Sequence, residues 1–246
     1  MKHRELGEGQ GPDSGHAPAP EETDGSGPQA SGSTWFLCSF LVFLVVAQTL
    51  YAGLYARSAW LRANTLVQIA ARLGYWTLPV VVYLAASGRD VLDYLKLRRN
   101  VVRGLAWGLG IGAALVVMNV AGTYVVKHHV HVNFDFGAQL WWKGVILVGF
   151  SEEVVFRGFL LPQFAERMSF RTANLLQATM FLATHVPGWI LLHQFVLPGI
   201  LTSVGFVFLI GVVLGIIWKR SGSLWACIVI HSVNNFCSFA VAVARP

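Results

Sequence analysis

The stretch GFSEEVVFRGFLL, residues 149–161, places two adjacent carboxylates and one arginine in a run that is otherwise apolar. Glu153 and Arg157 are four residues apart, so they share one face of a helix and can form an ion pair. Glu152 is turned about 100° from Glu153 by the helical period and stays without that partner. The alternative interpretation of this cluster is a structural ion pair near a helix end.

The chain as a whole is apolar. Of its 246 residues, 55% are hydrophobic and only 12% are charged, whereas soluble domains carry about 25% charged residues. The deficit indicates a membrane protein. Half of the acidic residues lie in the first 24 positions: Glu5, Glu8, Asp13, Glu21, Glu22 and Asp24. The net charge of +6 does not predict nucleic-acid binding, because the basic residues lie mainly between apolar runs, where they set membrane orientation.

Seven apolar runs follow an N-terminal tail. Residues 1–33 are rich in Gly, Pro, Ser and acidic residues, a composition typical of disorder. The runs cover residues 35–54, 66–86, 104–126, 138–162, 172–187, 196–218 and 223–243, and about 20 residues cross a bilayer as a helix. We expect an all-α fold: a polytopic integral membrane bundle of about seven transmembrane helices. Residues 34–137 would form its N-terminal helices and residues 138–246 its catalytic bundle.

Small residues occupy particular positions in these runs. Gly104, Gly108 and Gly112 recur at four-residue spacing in the third run, a pattern that suits close packing between helices. The fifth run is the shortest and is expected to end at Pro187 and Gly188. Residues 189–195 are either a re-entrant piece or an extension of the neighbouring helices. The three cysteines, at positions 38, 227 and 237, lie within apolar runs and are interpreted as small core residues.

Basic residues predict the orientation. The densest cluster follows the second run: Arg89, Lys96, Arg98, Arg99 and Arg103. Because cytoplasmic loops of membrane proteins are enriched in Lys and Arg, this segment is placed in the cytoplasm, and so is the N-terminus. The expected location is the plasma membrane, with a bacterial inner membrane favoured.

Further polar residues lie in apolar runs. His185 is near the end of the fifth run, and His231 and Asn235 share a face of the seventh. Each has a plain alternative: a histidine satisfied by packing, or a polar pair that bonds a neighbouring helix. A histidine-rich loop follows the third run, at positions 128, 129 and 131. It is interpreted as solvated rather than as a metal site.

These residues together predict hydrolytic chemistry. A carboxylate and an imidazole can activate water as a general base, and an imidazole and an amide can donate hydrogen bonds to an oxyanion. The chain has no G-x-S-x-G serine and no cysteine beside a histidine. It also lacks the H-E-x-x-H zinc motif. Direct attack of water on an amide carbonyl inside the membrane is the chemistry that this residue set favours, in a cavity among the fourth, fifth and seventh runs.

Three short motifs resemble the CPBP family, which includes the type II CAAX prenyl endopeptidases and bacteriocin-immunity relatives. The family motifs E-E-x-x-x-R, F-x-x-x-H and H-x-x-x-N/D read here as EEVVFR, FLATH and HSVNN, in that order. The resemblance covers about residues 138–243. It implies an intramembrane glutamic-type protease in which Glu152 and His185 activate water and His231 and Asn235 stabilise the oxyanion. Supporting roles are implied for the remaining motif residues: Glu153, Arg157 and Phe181.

The resemblance also sets the expected substrate and the alternatives. The substrate would be a membrane-anchored or lipid-modified peptide in the bilayer. No cofactor is expected, although a zinc-dependent version of the same protease is possible through the Glu and His side chains. A non-enzymatic membrane immunity or scaffold protein, and a small transporter that uses these residues as a proton relay, are the competing functions.

Overall fold

The computed structural model describes residues 28–135, 137–193 and 199–240, and within these ranges all regular structure is helical. The described residues form two compact units, residues 28–36 and residues 37–240. The first unit contains only the beginning of the first helix. The second is a helical membrane bundle and carries every residue considered below.

Seven long helices lie within the described residues. They are α1 (Pro28–Arg57), α2 (Thr65–Ala86), α3 (Val101–Lys127), α4 (residues 137–165), α5 (Phe170–Leu191), α6 (Gly199–Ser221) and α7 (Leu224–Ala240). Short helices occupy Ala59–Ala63, between α1 and α2, and Val91–Tyr94, between α2 and α3. Wider π-helical turns interrupt α2 at Leu73–Thr77 and α4 at Trp141–Leu147 and Val154–Leu160. Such turns are frequent near functional sites.

Four of these helices are long and apolar enough to cross a membrane by themselves: Trp35–Arg57 within α1, then α2, α3 and α6. The 17-residue α7 is shorter, and α4 contains Lys143, Glu152, Glu153 and Arg157. Over residues 151–162 every α4 residue is buried except Pro162, which is half-buried. Because protein surrounds this part of α4, its polar groups need not face lipid. The count of seven membrane crossings stays a prediction.

Two boundaries differ from the sequence prediction. Residues 28–33 are helical, whereas the disordered tail was expected to extend to residue 33; residues 1–27 of that tail lie outside the described residues. Extending an existing helix adds one hydrogen bond for each residue fixed, and Pro28 is tolerated at a first helical position.

The prediction that the fifth helix ends at Pro187 is wrong, because α5 continues through Pro187 to Leu191. Stopping inside an apolar bundle would leave several backbone groups unpaired, whereas a proline removes one hydrogen bond. Residues 189–191 therefore lengthen α5, as one of the two alternatives for residues 189–195 proposed; residues 194 and 195 are outside the described ranges. His185 consequently lies well inside the helix.

Glycine rows bring α7 close to α3 and α4. A Cβ added to Gly104, Gly108 or Gly112 of α3 would lie 2.5–3.1 Å from Ser223, Val229 or Val233, so the predicted close packing at this row is confirmed. On α4, a Cβ at Gly149 would lie 2.5 Å from Ser232 Oγ. This close approach places His231, the neighbour of Ser232, against the two glutamates of α4.

Candidate active site

Five charged or ionisable side chains form a continuous line through the bundle. In order they are Arg72 on α2, Glu152 on α4, His231 on α7, and Glu153 and Arg157, both on α4. The His231 ring lies between the two carboxylates: its Nδ1 is 2.7 Å from Glu153 Oε1, and its Nε2 is 3.7 Å from Glu152 Oε2. Two arginines and two glutamates balance in charge when His231 is neutral.

Glu153 and Arg157 form the buried ion pair that their spacing allows. Arg157 Nη1 is 2.7 Å from Glu153 Oε1, and both side chains are completely buried. Arg157 Nη2 also donates to the backbone carbonyl of Gly211 on α6, at 3.1 Å. The pair therefore ties α4 to α6. Since a carboxylate oxygen only accepts hydrogen bonds, the contact with Glu153 assigns the proton of His231 to Nδ1.

Glu152 is paired as well, which corrects the expectation of an unpaired carboxylate. Arg72 Nη2 donates to Glu152 Oε1, and Arg72 Nε donates to Ser151 Oγ at 2.8 Å. The partner was missed because it comes from another helix, and sequence spacing detects partners only within one helix. The other oxygen, Glu152 Oε2, has no hydrogen-bond partner among the described residues. One acceptor thus stays available beside His231.

His185 has one ring nitrogen occupied. Its Nδ1 is 2.8 Å from the carbonyl oxygen of Phe181, one turn earlier in α5. A carbonyl oxygen only accepts, so Nδ1 carries the proton and the lone pair is on Nε2. The aromatic rings of Phe181 and Trp189 lie 4.8 and 5.8 Å from the imidazole. The ring is therefore oriented by packing as well as by the backbone.

Phe181 is the packing centre of the site. Its ring is 4.8 Å from His185, 5.9 Å from His231 and 5.0 Å from Phe156, measured between centroids. The guanidinium of Arg157 lies 4.6 Å from the same ring, a cation–π distance. One buried phenylalanine of α5 thus contacts groups on both α4 and α7.

Asn235 lies one turn after His231 on α7. Its Nδ2 donates to the carbonyl of Gly144 on α4, at 3.1 Å. That bond uses one of the two amide hydrogens and fixes the orientation of the amide. The second hydrogen remains for another acceptor.

The four candidate catalytic residues line two neighbouring cavities. The first, here called the chamber, has a volume of about 180 Å³ and is lined by Glu152 and His185, with Gln48, Trp76, Thr184, Gly188, Trp189 and Leu192. The second, here called the α6–α7 cavity, has about 230 Å³ and is lined by His185, His231 and Asn235 among others. His185 and Trp189 border both cavities. The site thus draws on α1 and α2 in addition to the three helices that the sequence suggested.

Within the ranges that the structure describes, no three His, Cys, Asp or Glu side chains are grouped so that they could hold a metal ion. His128, His129 and His131 follow the end of α3 in an irregular segment and form no such group.

Arg72 is the site residue that sequence reasoning missed. The signal was available, since an arginine inside an apolar span faces the bundle interior and needs a partner. Its guanidinium also lies 4.8 Å from the ring of the buried Trp76, which borders the chamber. The second helix is therefore part of the site.

Comparison with known proteins relates part of the chain to one family. Residues 135–237 match the family model described as Type II CAAX prenyl endopeptidase Rce1-like, and this range contains Glu152, His185, His231 and Asn235. No curated protein and no solved structure matches the chain. Residues 135–237 of this helical membrane protein are therefore similar to the Rce1-like type II CAAX prenyl endopeptidases, a family of peptide hydrolases.

Proposed function

We propose that the chain hydrolyses a peptide bond of a membrane-anchored, lipid-modified peptide, using water activated by Glu152 and His185 without a metal ion. One observation carries this proposal: Glu152 has an unpartnered oxygen and lines the same chamber as His185. A buried carboxylate oxygen without a hydrogen-bond donor is costly. A water molecule in the chamber would supply that donor.

The first step follows from the two available acceptors. Glu152 Oε2 and His185 Nε2 each accept a hydrogen bond from one water molecule, so that a lone pair of the water oxygen is directed at the scissile carbonyl carbon. As the new C–O bond forms, Glu152 takes a proton from the water. Collapse of the tetrahedral intermediate breaks the C–N bond, and the proton passes from Glu152 to the leaving amine. A positioned general base of this kind contributes about 10²–10⁴-fold to the rate.

The oxyanion would be stabilised by His231 and Asn235, which line the neighbouring α6–α7 cavity. Glu153 accepts the Nδ1 proton of His231 and so fixes the orientation of the ring; donation to the oxyanion would use a proton on Nε2. A doubly protonated His231 adds one positive charge to a line that is otherwise balanced, and the developing oxyanion offsets that charge. The remaining amide hydrogen of Asn235 is the second donor. One donor of this kind is worth about 10²–10³ in kcat.

The location proposed for the protein follows from its basic residues. The segment between α2 and α3 carries the densest cluster of Arg and Lys. This cluster supports a cytoplasmic position for the segment and for the N-terminus, at a plasma membrane. A bacterial inner membrane is the favoured location. The substrate would then be a peptide anchored in that bilayer by a lipid.

A reconstituted cleavage assay tests the function. Purified protein in lipid nanodiscs would be incubated with a library of prenylated and other lipid-anchored peptides, and products identified by mass spectrometry. We expect wild type to cleave a subset and Glu152→Gln to lose up to about 10⁴-fold in kcat. Cleavage is expected to survive a strong chelator.

The matched control is Glu166→Gln, which makes the same chemical change at a carboxylate that is about half exposed and pairs with Arg89. This variant should cleave like wild type. Undiminished cleavage by a folded Glu152→Gln protein would refute the proposed mechanism. Loss of activity with chelator, restored by zinc, would favour the metal-dependent version, and failure of wild type to cleave any peptide would favour a scaffold or immunity protein.

A further inference from the structure

A third cavity adjoins the chamber. It has a volume of about 280 Å³ and shares Gln48, Gly188 and Leu192 with the chamber. Unlike the chamber, its wall contains two cations, Arg72 and Lys143. It is called the side cavity below. A ligand that occupies both spaces would place one end here and a reacting bond beside Glu152.

The two cations differ in their charge partners. Arg72 is paired with Glu152. Lys143, in the first π-helical turn of α4, forms no ion pair with any Asp or Glu of the described ranges. With Arg157 paired to Glu153, Lys143 is the uncompensated charge of α4. A cation in an apolar bundle is stabilised by an anion, and none of the described residues supplies one.

The half-buried Lys143 directs its amine to a buried side chain of a neighbouring helix. Its Nζ donates to Oε1 of Gln68 on α2, and Gln68 is only 2% exposed. Both hydrogens of Gln68 Nε2 are used, in bonds to the carbonyls of Leu61 at 2.7 Å and Arg62 at 3.0 Å. The amide is therefore fixed with its oxygen toward the lysine. Lysines near helix ends normally extend their amines toward the water, whereas Lys143 bonds the buried Gln68 of a neighbouring helix.

We propose that the side cavity binds the free C-terminal carboxylate of the peptide substrate, with Lys143 as its counter-ion. This inference rests on the proposed function. An ammonium has three donors, and Gln68 occupies one of them, which leaves two for a carboxylate. Tyr51 and Tyr55 of α1 also line the side cavity and offer aromatic surface to the last side chains of the peptide. The shared wall with the chamber sets a short, fixed distance from the scissile bond to the chain end.

The inference predicts a preference for peptides that end in a carboxylate. One prenylated peptide that wild type cleaves would be prepared as the free acid and as the C-terminal amide. We expect the amide to be about tenfold or more poorer in kcat/KM, mostly through KM, because a hydrogen-bonded charge pair is lost. In Lys143→Gln the ratio between acid and amide should fall to about one, and in Lys143→Arg the preference should persist. Lys127→Gln, at the exposed end of α3, is the matched control and should keep the wild-type ratio.

A binding assay separates this inference from the proposed function. Fluorescent acid and amide peptides would be titrated against Glu152→Gln protein, alone and combined with Lys143→Gln, in nanodiscs of phosphatidylcholine. Acid-selective binding that depends on Lys143 supports the subsite even when no peptide is cleaved. If the acid and the amide behave equally in both assays, or if neither binds, the carboxylate subsite is overturned. Cleavage of any peptide would still support the proposed protease. Loss of the acid preference when phosphatidylglycerol replaces phosphatidylcholine would identify a lipid phosphate as the occupant, and that also overturns the proposal.

Discussion

Glu152 and Glu153 are neighbours in the chain, yet they lie in opposite kinds of environment. Glu153 is completely buried, and one of its oxygens contacts both Arg157 and His231. Glu152 has its arginine on a different helix and borders a cavity. Each glutamate keeps one oxygen without a hydrogen-bond partner, but only that of Glu152 belongs to a residue that lines the chamber. The helical period separates the two side chains by about 100°, which is enough to direct one into the packed core and the other into the chamber.

The difference shows that buried charged groups in a membrane bundle can serve either stability or catalysis. Around Glu153 the polar groups bond one another and join α4, α6 and α7. Around Glu152 an acceptor lies beside a cavity, so a group from outside the protein can reach it. We therefore expect changes at Glu153 to appear first in stability, and changes around Glu152 to appear first in catalysis.

The largest effect on stability is expected from Glu153→Gln. This change leaves Arg157 as an uncompensated charge inside the protein, and breaking one side of a buried ion pair costs about 3–5 kcal/mol. The free energy of unfolding would be measured by denaturant titration in detergent micelles, beside Glu152→Gln and the exposed control Glu166→Gln. If Glu153→Gln proves as stable as Glu166→Gln, the two glutamates do not differ as described.

An intermediate effect is expected from Arg72→Gln, this time on rate. Arg72 holds Glu152 through one carboxylate oxygen, and a displacement of about 1 Å at a catalytic group can cost about 10²-fold. We expect kcat to fall by that order while KM changes little, since Arg72 acts through Glu152 as a positioning residue. Steady-state kinetics would check this.

Two further variants serve as controls for the Arg72→Gln measurement. Arg171→Gln removes an exposed arginine from the first turn of α5 and should leave kcat unaltered. Arg72→Lys should restore part of the loss, because an ammonium can still bond the carboxylate. A fall in unfolding free energy with no change in kcat would instead make Arg72 a structural residue like Arg157.

The smallest effect is expected at an exposed pair outside the helices that carry the site. Arg99 donates from Nε to Asp93 at 2.7 Å, and this hydrogen bond holds the pKa of Asp93 below its usual range. A depressed pKa in the folded state contributes stability at neutral pH that is lost as the pH falls through that pKa. Asp93→Asn should therefore lower Tm slightly at neutral pH and not in acid, because exposed pairs contribute little. Tm would be followed by differential scanning fluorimetry at both pH values, and a loss as large as that of Glu153→Gln would contradict the comparison.

Much of the bundle could be predicted from the sequence because its signals are local. The apolar runs locate the seven helices to within a few residues, except at two boundaries. The first helix begins at Pro28, before its apolar run. The fifth continues past Pro187, where an apolar environment extended a helix that the proline alone would have ended. The row Gly104, Gly108 and Gly112 predicted close packing between helices, but it did not predict that α7 is the partner. Spacing within one helix also identified Glu153 and Arg157 as a pair. Each of these inferences uses only neighbours along the chain.

What the sequence by itself determined is the helical membrane architecture, the family motifs and the ion pair inside α4. Only the tertiary structure decided which groups from different helices meet: Arg72 with Glu152, His231 with Glu153, and Lys143 with Gln68. The physical reason is that partners on one helix follow from its period, whereas contacts between helices depend on how the packed surfaces set their rotation and depth. The close approach of Ser232 to Gly149, which brings His231 to the glutamates, is fixed only when α7 is in place.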